Sequence, residues 1–157
     1  QVFLSGDVRV AKYASLWPGV VARGDVNYIS VGECSNVQDL VCLHVADDNP
    51  CIIGDYVTIG HNTLIHCSKI GNNCLIGMGS TLLGYTEIGE NTIIGAATLL
   101  TQHKKIPHDS LVYGNPSRII RALREDEVEA VRASAMNYCK LARVYREERE
   151  AREHQGK

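Results

Sequence analysis

Aliphatic residues recur every six positions along most of this chain. The clearest run is Ile70, Ile76, Leu82, Ile88, Ile94 and Leu100. Glycine follows directly at positions 71, 77, 89 and 95. A small or β-branched residue comes four places after each of the first five: Cys74, Ser80, Thr86, Thr92 and Thr98. The same frame holds in Ile53, Ile59 and Ile65, and in Val31, Val37 and Leu43. It is fainter in Leu4, Val10, Leu16 and Ala22. Repeats of six residues are the signature of a parallel β-helix, in which short strands wind into a stacked three-sided prism. The periodic aliphatic should fill the axis, the small residue should pack beside it, and glycine should ease the turn. Nine well-kept hexads between 53 and 100 argue against a β-sandwich with accidental spacing.

Three breaks interrupt the period: nine residues from Ala22 to Val31, ten from Leu43 to Ile53, and five from Ile65 to Ile70. The first two predict small loops, and the second carries Asp and Asn-Pro turn chemistry at Asp47, Asp48, Asn49 and Pro50. The pattern changes after residue 117. Val128, Val131, Ala135, Tyr138, Ala142 and Tyr145 step by three and four, which predicts a helix with one apolar stripe. The expected division is therefore 1–117 as an all-β solenoid and 118–157 as a C-terminal α-helical extension packed on the prism or on a neighbouring chain.

Charge sharpens that division. Residues 118–157 carry 18 charged side chains and the 117 residues before them only 16. The net charge of -2 gives no reason to expect nucleic acid or an anionic membrane as a partner. No apolar run approaches the ~18 residues that span a bilayer, and the first residues do not read as a signal peptide. Six cysteines with no CxxC pair read as reduced thiols used as small apolar side chains. A cytoplasmic protein is the expectation.

The candidate chemistry lies in histidines. His61 and His66 are five apart, a spacing that puts them roughly 140° apart on a helix and on opposite faces of a flat strand. On a three-sided coil the outcome differs. The hexads beginning at Leu43 and Ile65 are three apart, hence on the same side in adjacent turns. His44 and His66 each follow their aliphatic by one place and should stack at roughly 4.7–4.9 Å. Two imidazoles so placed can converge on one ion at about 2.0–2.1 Å each. His61 falls on another side, where it can reach the matching ion of an adjacent chain. Three prisms around a threefold axis would close such a ring. A lone strand histidine is ordinarily structural; two in register with a third nearby point to a metal. The same frame puts Arg23 below His44 and stacks Asp39 with His61, where a carboxylate would fix the imidazole tautomer. A salt bridge between subunits is the other reading of Arg23 and Asp39. Gln38 aims toward an interface. His103, His108 and His154 show no such register and read as surface residues.

The segments ARGDVNYISVGECSNVQDLVCLH (22–44), IGDYVTIGHNTLIHC (53–67) and IGNNCLIGMGSTLL (70–83) resemble the γ-class carbonic anhydrase family, including small bacterial relatives named ferripyochelin-binding proteins. The resemblance runs from Leu4 to about Tyr145. It implies a left-handed parallel β-helix, a homotrimer, and zinc, or else iron(II) or cobalt(II), held by His44 and His66 of one subunit and His61 of the next. It implies an interface pair at Arg23 and Asp25, catalytic residues Gln38 and Asp39 near the metal, and pocket residues Tyr113 and Asn115. The implied reaction is reversible hydration of carbon dioxide to bicarbonate. The acidic proton-carrying residues of the best-characterised type are missing, and Asp47 is the only nearby acid with a plausible position to carry the proton. A metal-dependent thioester hydrolase, a non-catalytic trimeric scaffold and a hexapeptide acyltransferase are the competing readings.

Overall fold

A computed structural model describes residues 1–155; residues 156–157 and the side chains of His154 and Gln155 lie outside the described part. Most hexads contribute a strand of two or three residues, such as Leu75–Ile76, Thr81–Leu82 and Glu87–Ile88. Strands this short cannot persist alone. They persist here because each pairs in parallel with the coil before and the coil after. Leu43, Ile65, Leu82 and Leu100 form one register column. Ile53, Ile70, Ile88 and Ile106 form a second. Val37, Ile59, Ile76, Ile94 and Val112 form the third. All these side chains are buried and meet along the axis as one core. The chain is thus a parallel β-helix of about six turns with one C-terminal helix. Leu4 and Val10 hold their register opposite Ala22 and Val31 but are exposed, because they sit in the first, uncovered coil.

The corners correct one expectation. The residue after each axial aliphatic was expected to need glycine for the turn. The left-handed backbone instead falls three places after the aliphatic, mostly on residues that are not glycine: Cys34, Tyr56, Asn62, Asn73, Tyr85, Asn91, Ala97 and His103 have φ between 53° and 62°. Asn accepts this region readily, while other side chains pay about 1–2 kcal/mol each. The hydrogen bonds between coils offset that cost, as in Gly77 N–H to Ile94 O at 2.7 Å. Glycine right after the aliphatic answers a different need. A Cβ on Gly77 would lie 2.4 Å from Ala96 N, and one on Gly89 would lie 2.4 Å from His108 N. It lets adjacent coils approach closely. The small residues four places along are buried as expected, and they bond corner carbonyls: Thr63 Oγ1 donates to Gly60 O at 2.7 Å and Ser80 Oγ to Gly95 O at 3.0 Å.

The first break is not a loop, contrary to expectation. Val21–Val31 is one extended strand that turns from one side of the prism onto the next. Its two ends pair with Cys42–His44 and with Cys51–Ile53. Opposite Phe3–Val10 the register jumps between Gly6 and Val8, so residues 25–28 form a bulge. A repeat count detects extra residues but does not distinguish a loop from a bulge. The second break is a loop, closed by reciprocal bonds between Ala46 and Asn49 at 3.1 and 3.2 Å. Asn27 Nδ2 donates to Asp47 O at 3.0 Å and ties the bulge to that loop.

The extension does not begin as helix. Arg118–Ala122 pairs antiparallel with Ser110–Tyr113, closing the far end of the coil. The helix α1 then runs over Glu125–Gln155. Its Glu127 carboxylate accepts from Arg124 N at 3.0 Å and from both terminal nitrogens of Arg121 at 2.7 Å, which caps the first turn. The expected stripe faces the prism: Val131 and Ala135 are buried, and Tyr138 and Tyr145 meet Trp17 edge to face at 5.6 and 5.4 Å. Cys34 and Cys139 are free thiols with sulfurs 3.2 Å apart. No helix among the described residues is long and apolar enough to cross a membrane.

Candidate metal centre

The position after each axial aliphatic decides where a side chain can project. On one side of the prism it holds Gly32, Gly54, Gly71 and Gly89, and on another Gly60, Gly77 and Gly95. On the third side it holds Arg23, His44 and His66. This side alone keeps a run of long polar groups there.

His44 and His66 end the strands Cys42–His44 and Leu64–His66 and are register partners. Their ring centroids lie 5.2 Å apart at an angle of 57°. The column expected from the hexad count is therefore present, and Arg23 is the register partner of His44 one coil below. The bulge delivers Asp25 to the same place. Arg23 Nη1 donates to Asp25 Oδ2, and Asp25 Oδ1 lies 3.1 Å from His44 Nε2. Within one chain, Arg23 and Asp25 thus form a clamp on His44. Burial would raise the Asp25 carboxyl, but the bonds from Arg23 and His44 outweigh it and hold it below the usual carboxylate range. His66 is shifted below the ordinary imidazole value by burial first, then by His44 and Arg23. It is held toward the neutral form, which is the form that ligates a metal.

His61 lies on a different side, beyond the strand Thr58–Ile59. Asp39 Oδ2 is 2.9 Å from His61 Nδ1, the stack expected from the register of Val37 with Ile59. Both side chains are about two-fifths exposed, at 45% for His61 and 40% for Asp39. Among the described residues, no three His, Cys, Asp or Glu side chains gather within one chain as a metal cluster.

The remaining candidates scatter. Gln38 is buried, and its Nε2 donates to Asn36 Oδ1 at 3.1 Å. Tyr113 covers Gly95, where a Cβ would lie 1.9 Å from its ring. It follows Val112, three coils beyond Ile59, which puts Tyr113 and Asn115 roughly 14 Å along the axis from His61. The structure does not bring either beside the histidines of its own chain. Asp47 offers its carbonyl to Asn27, while its neighbour Asp48 accepts from Tyr85 Oη at 2.7 Å. His103 stacks on Tyr85 at 4.9 Å, and His108 pairs with Asp109 on the surface. One contact to the histidine pair was not foreseen: the Cys67 sulfur lies 3.2 Å from His66 Nδ1. Its only sequence signal is adjacency to a candidate ligand.

A family model described as bacterial transferase hexapeptide (six repeats) matches residues 67–102. The probable carbonic anhydrase of Methanocaldococcus jannaschii is 49% identical over 137 residues, covering 87% of this chain and 86% of that protein. The mitochondrial gamma carbonic anhydrase 2 of Arabidopsis thaliana is 39% identical over 149 residues and covers 91% of this chain, which spans 54% of that longer protein. Among solved structures, a hexapeptide transferase family protein from Anaplasma phagocytophilum superposes with a TM-score of 0.86 at 37% identity, covering 92% of this chain and 89% of that one. The repeat, the histidine column and the extent of this similarity agree: the chain belongs to the γ-class carbonic anhydrase family.

Proposed function

We propose that this chain is a metal-dependent carbonic anhydrase that interconverts carbon dioxide and bicarbonate at a site shared between subunits of a homotrimer. The observation that carries this reading is the His44–His66 pair, two imidazoles in register at 5.2 Å. His44 and His66 of one subunit and His61 of the next would hold the metal, with zinc the first candidate and iron(II) or cobalt(II) the others. The donor set fits such a metal: three imidazole nitrogens leave one position open in a tetrahedral site. Bound there, the metal supplies Lewis-acid activation of water near neutral pH.

The chain's own groups do the rest. Asp39 fixes His61 by its Nδ1 edge and leaves Nε2 free to ligate. The Arg23–Asp25 clamp holds His44 by its Nε2 edge, so a metal taking that nitrogen would displace the Asp25 carboxylate from it. Burial, helped by His44 and Arg23, shifts His66 toward its neutral form. Hydration releases a proton that must leave to solvent, and Asp25, engaged by Arg23 and His44, is a poor acceptor for it. Gln38, buried one residue before Asp39 with its amide bonded to Asn36, is the residue that would orient the reacting water.

Stopped-flow hydration of carbon dioxide by protein loaded separately with zinc and iron(II) tests this reading. Acyl transfer is the second reading, favoured by the fold shared with a hexapeptide transferase family protein. Turnover of acetyl-CoA without any turnover of carbon dioxide would favour it, and thioester hydrolysis is scored in the same assay. Activity in neither assay would favour a scaffold.

A further inference from the structure

Cys67 is one residue past His66 and is fully buried. It occupies a left-handed corner with φ 40°, against 61° and 62° at Tyr85 and His103, the equivalent corners of the next two coils. Its backbone is fixed at three points. Its N–H donates to His44 O at 2.8 Å, and its carbonyl accepts from Tyr85 N at 3.0 Å and from Asn49 Nδ2 at 2.6 Å. These bonds tie the Cys67 backbone to the strand of His44 and to the loop that follows it. The sulfur lies 3.2 Å from His66 Nδ1. Gly84, one coil on, leaves it room: a Cβ there would stand 2.9 Å from the Cys67 sulfur and 3.5 Å from His66 Nδ1.

A neutral imidazole carries one N–H, and the nitrogen that carries it is set by the partner it finds. A sulfur can accept that hydrogen, weakly but directionally. We infer that Cys67 is a positioning residue: its sulfur accepts from His66 Nδ1–H and so leaves the Nε2 lone pair as the ligating one. Cys67 does for His66 what Asp39 does for His61, with a neutral partner in place of a carboxylate. The inference rests on the proposed metal site for its purpose, while the tautomer it assigns is a property of the metal-free chain.

Two measurements test it. The first is the 15N–1H correlation spectrum of the His66 imidazole in metal-free protein. The parent is expected to show the hydrogen on Nδ1, Cys67→Ser to keep it there, and Cys67→Ala to move a large share to Nε2. The second is zinc affinity by chelator competition on the full chain. Cys67→Ala is expected to bind about 10–100-fold more weakly, and Cys67→Ser within about threefold of the parent. Gly84→Ala, which keeps the thiol but crowds it, serves if Cys67→Ala does not fold. It should shift both readouts the same way. A Cys67→Ala or Gly84→Ala protein with the parent's tautomer and the parent's zinc affinity overturns the inference. A parent that binds no zinc overturns the metal reading instead, and the tautomer still decides the role of Cys67.

Discussion

His44 and His66 are register partners on adjacent coils, with rings 5.2 Å apart and inclined at 57°. Three hexads of chain separate them, so the contact follows from the period and not from nearness in sequence. If the pair is the heart of a metal site, His44→Ala and His66→Ala should each abolish stoichiometric zinc binding. Neither ring is in the axial core, so metal-free stability should change by no more than about 1 kcal/mol. Elemental analysis of dialysed protein and thermal unfolding check the two halves.

Asp39 offers a milder test. The carboxylate lies 2.9 Å from His61 Nδ1. Asp39→Asn should keep the fold and weaken zinc binding about 10–100-fold, as loss of an outer partner of a ligand does. Zinc titration against a competing chelator reads this directly.

The corner geometry makes two substitutions opposite in sign. Gly77→Ala would drive a methyl to 2.4 Å from Ala96 N, so adjacent coils must part and the melting temperature should fall. Ala97 holds φ 55° without the freedom of glycine. Ala97→Gly should raise stability by about 0.5–1 kcal/mol by relieving the left-handed backbone. Chemical unfolding of the two variants beside the parent measures both.

The axial core should respond as a packed interior. Leu82 is fully buried between Ile65 and Leu100. Leu82→Ala should cost about 2–5 kcal/mol, because flanking coils fixed by parallel pairing cannot collapse into the space. Urea unfolding monitored by circular dichroism gives the number.

Acid should loosen the helix before the prism. The bonds from Arg121 and then from the Arg124 backbone hold the Glu127 carboxyl down at about 2, against a usual value near 4.5. A carboxyl lowered on folding adds stability that is complete above its unfolded value and is lost as pH falls toward its folded one. Docking of α1 should therefore weaken between pH 4.5 and 2, and Glu127→Gln should show that weakness already at neutral pH. Trp17 fluorescence reports it, since Tyr138 and Tyr145 leave the indole when the helix departs.

Much of this molecule was legible because one period governs it. Counting in sixes placed Leu43, Ile65 and Leu82 on the axis. One place further along the same count put His44 over Arg23 and His66 over His44, and it put Asp39 beside His61. What the count could not carry is what depends on approach and direction. Glycine at 77 looked like a turn residue, but its reason is a backbone 2.4 Å away in the next coil. Extra residues between Ala22 and Val31 looked like a loop, but they form the bulge that brings Asp25 to His44. Arg118–Ala122 shares the charge of the tail, so nothing in its composition marked the antiparallel strand that closes the coil. The Cys67 sulfur became visible only once its direction toward His66 was known.

In the proposed site the third histidine comes from a neighbouring chain, so mixing two defective chains should restore binding. His61→Ala chains keep the stacked pair, while His44→Ala/His66→Ala chains keep only the outlying ligand. Each should bind no stoichiometric zinc alone. Unfolded together in equal amounts and refolded, they should form trimers of which about three-quarters are mixed, each with one complete site, so the mixture should bind about a quarter of a zinc per chain. A mixture that binds none, or a His61→Ala protein that keeps one zinc per chain by itself, would contradict the account.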